Sequence, residues 1–233
     1  MPEAAPVIAV DGTAGSGKGT LARNLANELG WHYLDSGALY RAAGLAVLQA
    51  DTDPDDAVAC GGIAQAMQVE IETRPESIRI LLDGTDVTTR VRAPEVGRVA
   101  SRISVHPEVR RALLDHQRAA RRMPGLVADG RDMGTVVFPD ACLKFHLIAS
   151  LEVRARRRQH QLEEMGINAR LNTLIDELNQ RDLQDMRRGE SPLVQAPDAC
   201  LIDTSEQSIE EVHAKARACL PGILTPSDKG THP

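Results

Sequence analysis

Residues 12–20, Gly12-Thr13-Ala14-Gly15-Ser16-Gly17-Lys18-Gly19-Thr20, set four glycines, three hydroxyls and one lysine in a single short run. Glycines let a backbone curl until successive N–H groups face inward, and such a nest at the start of a helix binds phosphate. Lys18 adds a mobile ammonium suited to the β- and γ-phosphates of a nucleotide. The spacing G-x-x-x-x-G-K-[ST] is met at Gly12, Gly17 and Lys18, but Gly19 stands where a hydroxyl belongs and Thr20 follows it. Metal ligation by a loop side chain is therefore not assigned. Magnesium is expected to be held mainly by phosphates and water, with Thr20 the one candidate side chain.

A phosphate loop works only between a strand and a helix, and the flanks provide both. Ile8 and Val10 are β-formers before it; Leu21, Leu25 and Leu29 recur every four residues after it, and Gly30 ends that helix. Further apolar runs at 31–34, 126–128, 143–148 and 199–202 read as four more buried strands separated by helical patterns. Five strands alternating with helices predict an α/β fold: a three-layer, mostly parallel sheet flanked by helices, with ligands at the carboxyl ends of the strands.

Between 67 and 91 the period changes to two. Val69 and Ile71, then Ile78, Ile80 and Leu82, alternate with polar residues, and Asp83-Gly84 is a hairpin turn signal before Val87, Thr89 and Val91. This predicts a small antiparallel insert, either a flap over a second substrate or a plain insertion. Helical patterns follow through Val96, Val99, Ala100 and Ile103, and from Pro107 to about Arg122. Residues 151–188 read as two helices broken near Gly166-Ile167-Asn168. The first carries Arg154, Arg156, Arg157 and Arg158, a run that is usually a solvated face. On the second, Arg181, Asp185 and Arg188 share one face, as a surface ladder or as one wall of a site. Ser208 to Glu211 is a capping box for a last helix, and 221–233 is expected to be a flexible tail.

With 233 residues and 42% hydrophobic content the chain can bury one substantial core. A net charge of −6 and only five aromatics argue against a nucleic-acid binder. No apolar run approaches a membrane span, and residues 1–6 lack a basic stretch, so a cytoplasmic location is expected. Cys60, Cys142, Cys200 and Cys219 lack metal-ligand spacing and are expected to be buried free thiols. Only four of the 27 basic residues are lysines, and the arginine fork suits phosphate and carboxylate.

Taken together, 12–20, the run Leu34-Asp35-Ser36-Gly37-Ala38-Leu39-Tyr40-Arg41, Ser101 with Arg110, the stretch 130–139 beginning Gly130-Arg131-Asp132-Met133-Gly134, and the 181–188 cluster resemble the bacterial cytidylate kinases of the nucleoside monophosphate kinase group. In that group the Gly-Lys-Gly-Thr ending is usual; Thr13 replaces a common proline. The resemblance implies transfer of the γ-phosphoryl group of ATP, with Mg2+, to CMP or dCMP. It implies that 12–20, Arg154 and Arg157 hold ATP. Lys18, Arg131, Arg158, Arg181 and Arg188 would serve the transfer itself. Ser36, Gly37, Arg41 and Arg131 would meet the monophosphate; Ser101, Arg110 and Asp132 the cytosine; Arg181, Asp185 and Arg188 the ribose and phosphate. A core of 7–62, 104–150 and 189–220, a monophosphate-binding insert at about 63–103 and a lid at about 151–188 follow, in a protein expected to be monomeric. Asp132 could instead merely pair Arg131 or cap a helix. Other acceptors (UMP, AMP, shikimate) and a P-loop switch are the competing readings.

Overall fold

The computed structural model describes residues 4–74, 77–164, 166–189 and 191–220; the expected tail at 221–233 lies outside them. The strands are β1 Val7–Gly12, β2 His32–Asp35, β3 Val69–Arg74, β4 Ser77–Leu82, β5 Thr85–Asp86, β6 Leu126–Gly130, β7 Leu143–Ile148 and β8 Cys200–Asp203. All five expected core strands join one parallel sheet in the order β2-β6-β1-β7-β8. β1 sits in the middle, so the loop that follows it opens at the centre of the sheet's carboxyl edge.

Both faces of β1 are covered, and its side chains divide between two cores as strand geometry requires. Ile8 and Val10 pack with Leu21, Leu25, Phe145 and Val212 on one face. Val7 and Ala9 pack with Leu34, Leu126, Met133 and Phe138 on the other. The helices are α1 Lys18–Leu29, α2 Ser36–Gln49, α3 Ala57–Ala66, α4 Pro94–Ile103, α5 Pro107–Ala119, α6 Leu151–Glu164, α7 Leu171–Arg187 and α8 Ile209–Ala218. α1 ends where sequence punctuation predicts, at Gly30, whose N–H returns to the carbonyls of Ala26 and Asn27. The capping box of α8 forms in full between Ser208 and Glu211. A separate apolar cluster of Ala155, Leu162 and Leu174 clamps α6 to α7.

The antiparallel insert is present as β3-β4-β5, with Val69 opposite Leu82 and the turn at Asp83 and Gly84. Its third strand is shorter than the alternation of Val87, Thr89 and Val91 predicts. Asp86 accepts from both the N–H and the hydroxyl of Thr88, at 3.0 and 2.7 Å. That local turn ends the ladder at Asp86 and leads into a short 3-10 turn, Arg90–Arg92. Val87 and Val91 are buried there in the main core. The cysteines also differ from expectation: all four are free, but Cys60 alone is buried, Cys142 is exposed and the other two are half-buried. No helix among the described residues is long and apolar enough to cross a membrane.

Candidate active site

The 12–20 loop curls between β1 and α1, and α1 begins at Lys18 with Gly17 in the left-handed region at φ 87°. Two of its glycines are required by close approach. A Cβ on Gly12 would lie 2.2 Å from the carbonyl oxygen of Leu147, and one on Gly19 would lie 2.8 Å from Oδ2 of Asp129. The second contact explains the unusual spacing: a serine or threonine at 19 would drive into a carboxylate. Lys18 Nζ donates to the Thr13 carbonyl at 3.3 Å and lies 3.9 Å from Asp129 Oδ1. Burial pulls the Lys18 pKa below the usual ammonium range, with nearby Arg131 adding to the effect and Asp129 opposing it. The same burial pushes Asp129 upward against the pull of Lys18.

Asp129, at the end of β6 beside β1, is a site residue that motif reading passed over. Its signal is present in the sequence, because a carboxylate closing an otherwise apolar strand needs a reason. Tyr33 Oη donates to its Oδ2 at 3.3 Å. Its Oδ1, the Ser16 hydroxyl and the Thr13 hydroxyl are buried without a hydrogen-bond partner among the described residues. Leaving a buried polar atom unpaired costs about 1–3 kcal/mol. Three such atoms around one loop point to a polar ligand.

A cleft of about 1300 Å³ opens over this loop, with Gly37, Arg41, Ser101, Arg131, Arg158 and Arg181 on its wall. Gly37 and Arg41 arrive on α2, which Asp35 caps by accepting from Ala38 N at 3.0 Å. Arg41 is held by donating to the Val91 carbonyl at 2.9 Å. Burial lowers its pKa and Arg158 across the cleft lowers it further. Arg181 makes no hydrogen bond or ion pair among the described residues, and its Nε is buried and unpartnered. Burial and the neighbouring Arg131 bring its pKa down to about 10. Arg158 is likewise free of bonds among the described residues. Cations have thus been gathered beyond what the local carboxylates neutralise.

Behind the wall lies a buried ionic cluster. Asp185, fully buried, accepts from Arg131 Nε at 2.7 Å and is paired with Arg188. Burial alone would raise its pKa, but Arg131 and Arg188 outweigh that and hold it below the usual range. The shared face of Arg181, Asp185 and Arg188 therefore turns inward, Arg181 onto the cleft and the other two behind it, and is not a surface ladder. Asp132 accepts from Arg110 Nη2 at 2.5 Å, and the Arg110 guanidinium lies 5.8 Å from the Tyr40 ring centre. Asp132 pairs Arg110, not Arg131. Ser36 is set apart from the cleft: it is buried, and its hydroxyl accepts from Gln117 Nε2 at 2.8 Å.

The arginines of α6 differ among themselves. Arg154 forks onto Asp182 of α7 at 3.1 and 2.5 Å while donating to the Ala14 carbonyl at 3.2 Å. Arg157 donates to Gly15 O at 3.3 Å and to the Thr204 carbonyl at 2.7 Å. Both sew α6 to the phosphate loop, and Thr204 in turn donates to Ser16 O at 2.8 Å. Arg156 faces solvent and pairs Glu152.

Asp11, next to the end of β1, accepts from Met133 N and Gly134 N at 2.8 Å each. It thereby fixes the π-helical turn Met133–Val137 that follows Arg131 and Asp132. Burial pushes its pKa up to about 7, against the pull of those two amides. The folded protein then retains a proton that the unfolded chain releases near pH 4, so this contribution is full below that value and is lost as pH rises through about 7. Denaturant titrations at pH 5 and pH 8 should show the unaltered protein weakening across this window. Asp11→Asn should weaken less, and an identical loss in both would exclude Asp11 as the cause.

A glycine-rich phosphate cradle after the central strand of a five-stranded parallel sheet, faced by unneutralised arginines, defines the P-loop class of nucleotide-handling proteins. The family model described as cytidylate kinase matches residues 8–220, and the chain belongs to that family. It is 47% identical to a cytidylate kinase of Aeromonas salmonicida over 94% of this chain and 95% of that one. It is 50% identical to a cytidylate kinase of Bordetella bronchiseptica over 89% and 92% of the respective chains. A solved structure of an uncharacterized protein from Eubacterium ventriosum shares the fold, with a TM-score of 0.50 at 14% identity over 91% of this chain and 96% of that one.

Proposed function

We propose that the protein transfers the γ-phosphoryl group of ATP to CMP and dCMP, forming ADP and the corresponding diphosphate. The observation that carries this reading is the excess of positive charge on half-buried side chains around one cleft. Lys18, Arg41, Arg158 and Arg181 converge on one cleft, and burial and mutual repulsion depress the pKa values of Lys18, Arg41 and Arg181. Two polyanions would relieve that repulsion, whereas a nucleotide switch would leave the α2 and α7 arginines without a ligand.

The acceptor phosphate, with a second pKa near ~6, is largely dianionic at neutral pH and attacks without a general base. The protein's task is to bring two anions within about 3–3.5 Å and to stabilise the charge spread over the moving group. The loop amides and Lys18 would hold the donor phosphates; Arg41, Arg131 and Arg181 would hold the acceptor phosphate. The donor set fits Mg2+: Thr20 lines the cleft, and Asp129 Oδ1, which has no hydrogen-bond partner among the described residues, could hold its water shell. When bound, magnesium neutralises charge on the phosphate oxygens. Arg154 and Arg157, already tied to the loop, would position α6 so that Arg158 faces the donor, and α6 with α7 would act as the lid that excludes water. The β3-β5 insert with α4 would form the monophosphate-binding part, and the protein would act as a monomer.

For the base, Arg110 aims the Asp132 carboxylate. Cytosine offers it an N4 donor where uracil would present an O4 acceptor. Asp132 would thereby favour CMP over UMP.

Arg181→Met is expected to raise the KM for CMP while leaving the KM for ATP near its starting value. A selective rise in the ATP constant would move Arg181 to the donor side. The function itself is tested by coupled measurement of ADP release with CMP, UMP, AMP and shikimate at fixed Mg·ATP. Release that depends on CMP is expected; release independent of any acceptor would favour a switch.

A further inference from the structure

Between Arg181 and Asp185 on α7 lies Gln184, a residue that no motif singles out. Its carboxamide grips Ser101 from across the cleft. Ser101 Oγ donates to Gln184 Oε1 at 3.3 Å, and Gln184 Nε2 donates to the Ser101 carbonyl at 2.7 Å. One turn further, Arg188 Nη2 donates to Ser104 Oγ at 3.1 Å. The end of α7 is thus latched to the end of α4 at two successive turns. Ser101 and Gln184 both lie on the cleft wall. Arg110 and Asp132 lie behind them, buried, and Arg110 Nη1 donates to the Ser104 carbonyl at 3.3 Å. The latch stands between the open cleft and the Arg110–Asp132 pair.

The chemistry of the latch matches that of a base. A carboxamide sets one acceptor beside one donor, the same pairing that cytosine carries at N3 and N4. We propose that Gln184 is an internal stand-in for the acceptor base: it occupies Ser101 in the empty protein and must be displaced when a pyrimidine monophosphate binds, so that Gln184 sets acceptor affinity. This inference rests on the reading above, that α4 and the Arg110–Asp132 pair take the acceptor base. A ligand that binds only the unlatched state has its apparent affinity reduced by the fraction of molecules unlatched. Two hydrogen bonds of ordinary net strength correspond to a penalty of about fivefold to a hundredfold. Gln184 acts by holding Ser101 and does not touch reacting atoms, so its effect belongs in KM and not in kcat.

The test compares the full-length protein with Gln184→Ala, a helix position at which alanine favours folding. The unaltered protein is first assayed for CMP-dependent ADP release; if there is none, the reading of the site fails and this inference fails with it. Given that activity, Gln184→Ala should lower the KM for CMP, and the calorimetric dissociation constant for CMP, by about fivefold or more. The kcat and the KM for ATP should not move. In a Ser101→Ala background, which loses the Oγ bond and keeps the bond to the backbone carbonyl of residue 101, the same change should give a smaller gain in CMP affinity. An unchanged CMP constant, or an equal gain with and without Ser101, would overturn the latch while leaving the kinase reading intact. A raised constant would make Gln184 a direct acceptor ligand and would overturn it as well.

Discussion

Replacing Lys18 with alanine is expected to cut turnover by about a thousandfold or more, with CMP affinity close to that of the unaltered protein. The size of the effect follows from the surroundings of the ammonium. It is largely withdrawn from water, its nearest carboxylate stands off at 3.9 Å, and Arg131 and Arg181 crowd it with like charge. Its field is therefore not cancelled locally and acts on charge that develops during transfer. Acceptor affinity should survive because the guanidinium groups of Arg41, Arg131 and Arg181 belong to other elements. Steady-state kcat together with calorimetric titration of CMP separates the two quantities. Retention of substantial turnover would remove Lys18 from the transfer step.

Asp185→Ala should be the most destabilising single change in the site. The fully buried carboxylate accepts from Arg131 and pairs Arg188, and Arg181 lies within its field. Without it, buried guanidinium groups face one another with no counter-charge. Breaking one side of a buried pair costs about 3–5 kcal/mol. For a chain of this size that corresponds to a fall in melting temperature on the order of 10 °C. Anions should restore part of the loss, so CMP should raise the melting temperature of Asp185→Ala more than that of the unaltered protein. A melting temperature within a degree or two of the parent would show that the cluster tolerates its own repulsion.

Much of this arrangement is legible from residue order, and the illegible part has a common physical cause. β1, β6 and β7 announce themselves as apolar runs because their residues are covered on both faces, and the loop at 12–20 is legible because only glycine tolerates its curvature. Asp11 and Asp129 were readable in principle, each a carboxylate ending an apolar strand. What sequence spacing conveys is which side chains share a face. It does not convey what stands opposite. Arg154 and Arg158 belong to one short run, yet Arg154 is consumed by Asp182, 28 positions away, while Arg158 remains free of bonds among the described residues. Gln184 and Ser101 are 83 positions apart, and no local pattern joins them. The brevity of β5 escaped for the opposite reason: the Asp86–Thr88 turn is local, but it competes with a strand alternation that is equally good.

The position of β1 at the centre of the sheet has a consequence for how such a protein can change. Segments that follow β2 and β6 reach the loop from one flank, and segments that follow β7 and β8 reach it from the other. Under the proposed assignment the recipient's base is read from the first flank, while the second brings the α6 arginines to the donor and Arg181 of α7 to the recipient phosphate. Choice of base is thus inherited on a different stretch of chain from the α6 arginines that face the donor, with Lys18 standing between the two. Exchanging residues 36–110 together with Asp132 for those of a relative with a different recipient should redirect the base preference without disturbing the donor-facing arginines of α6.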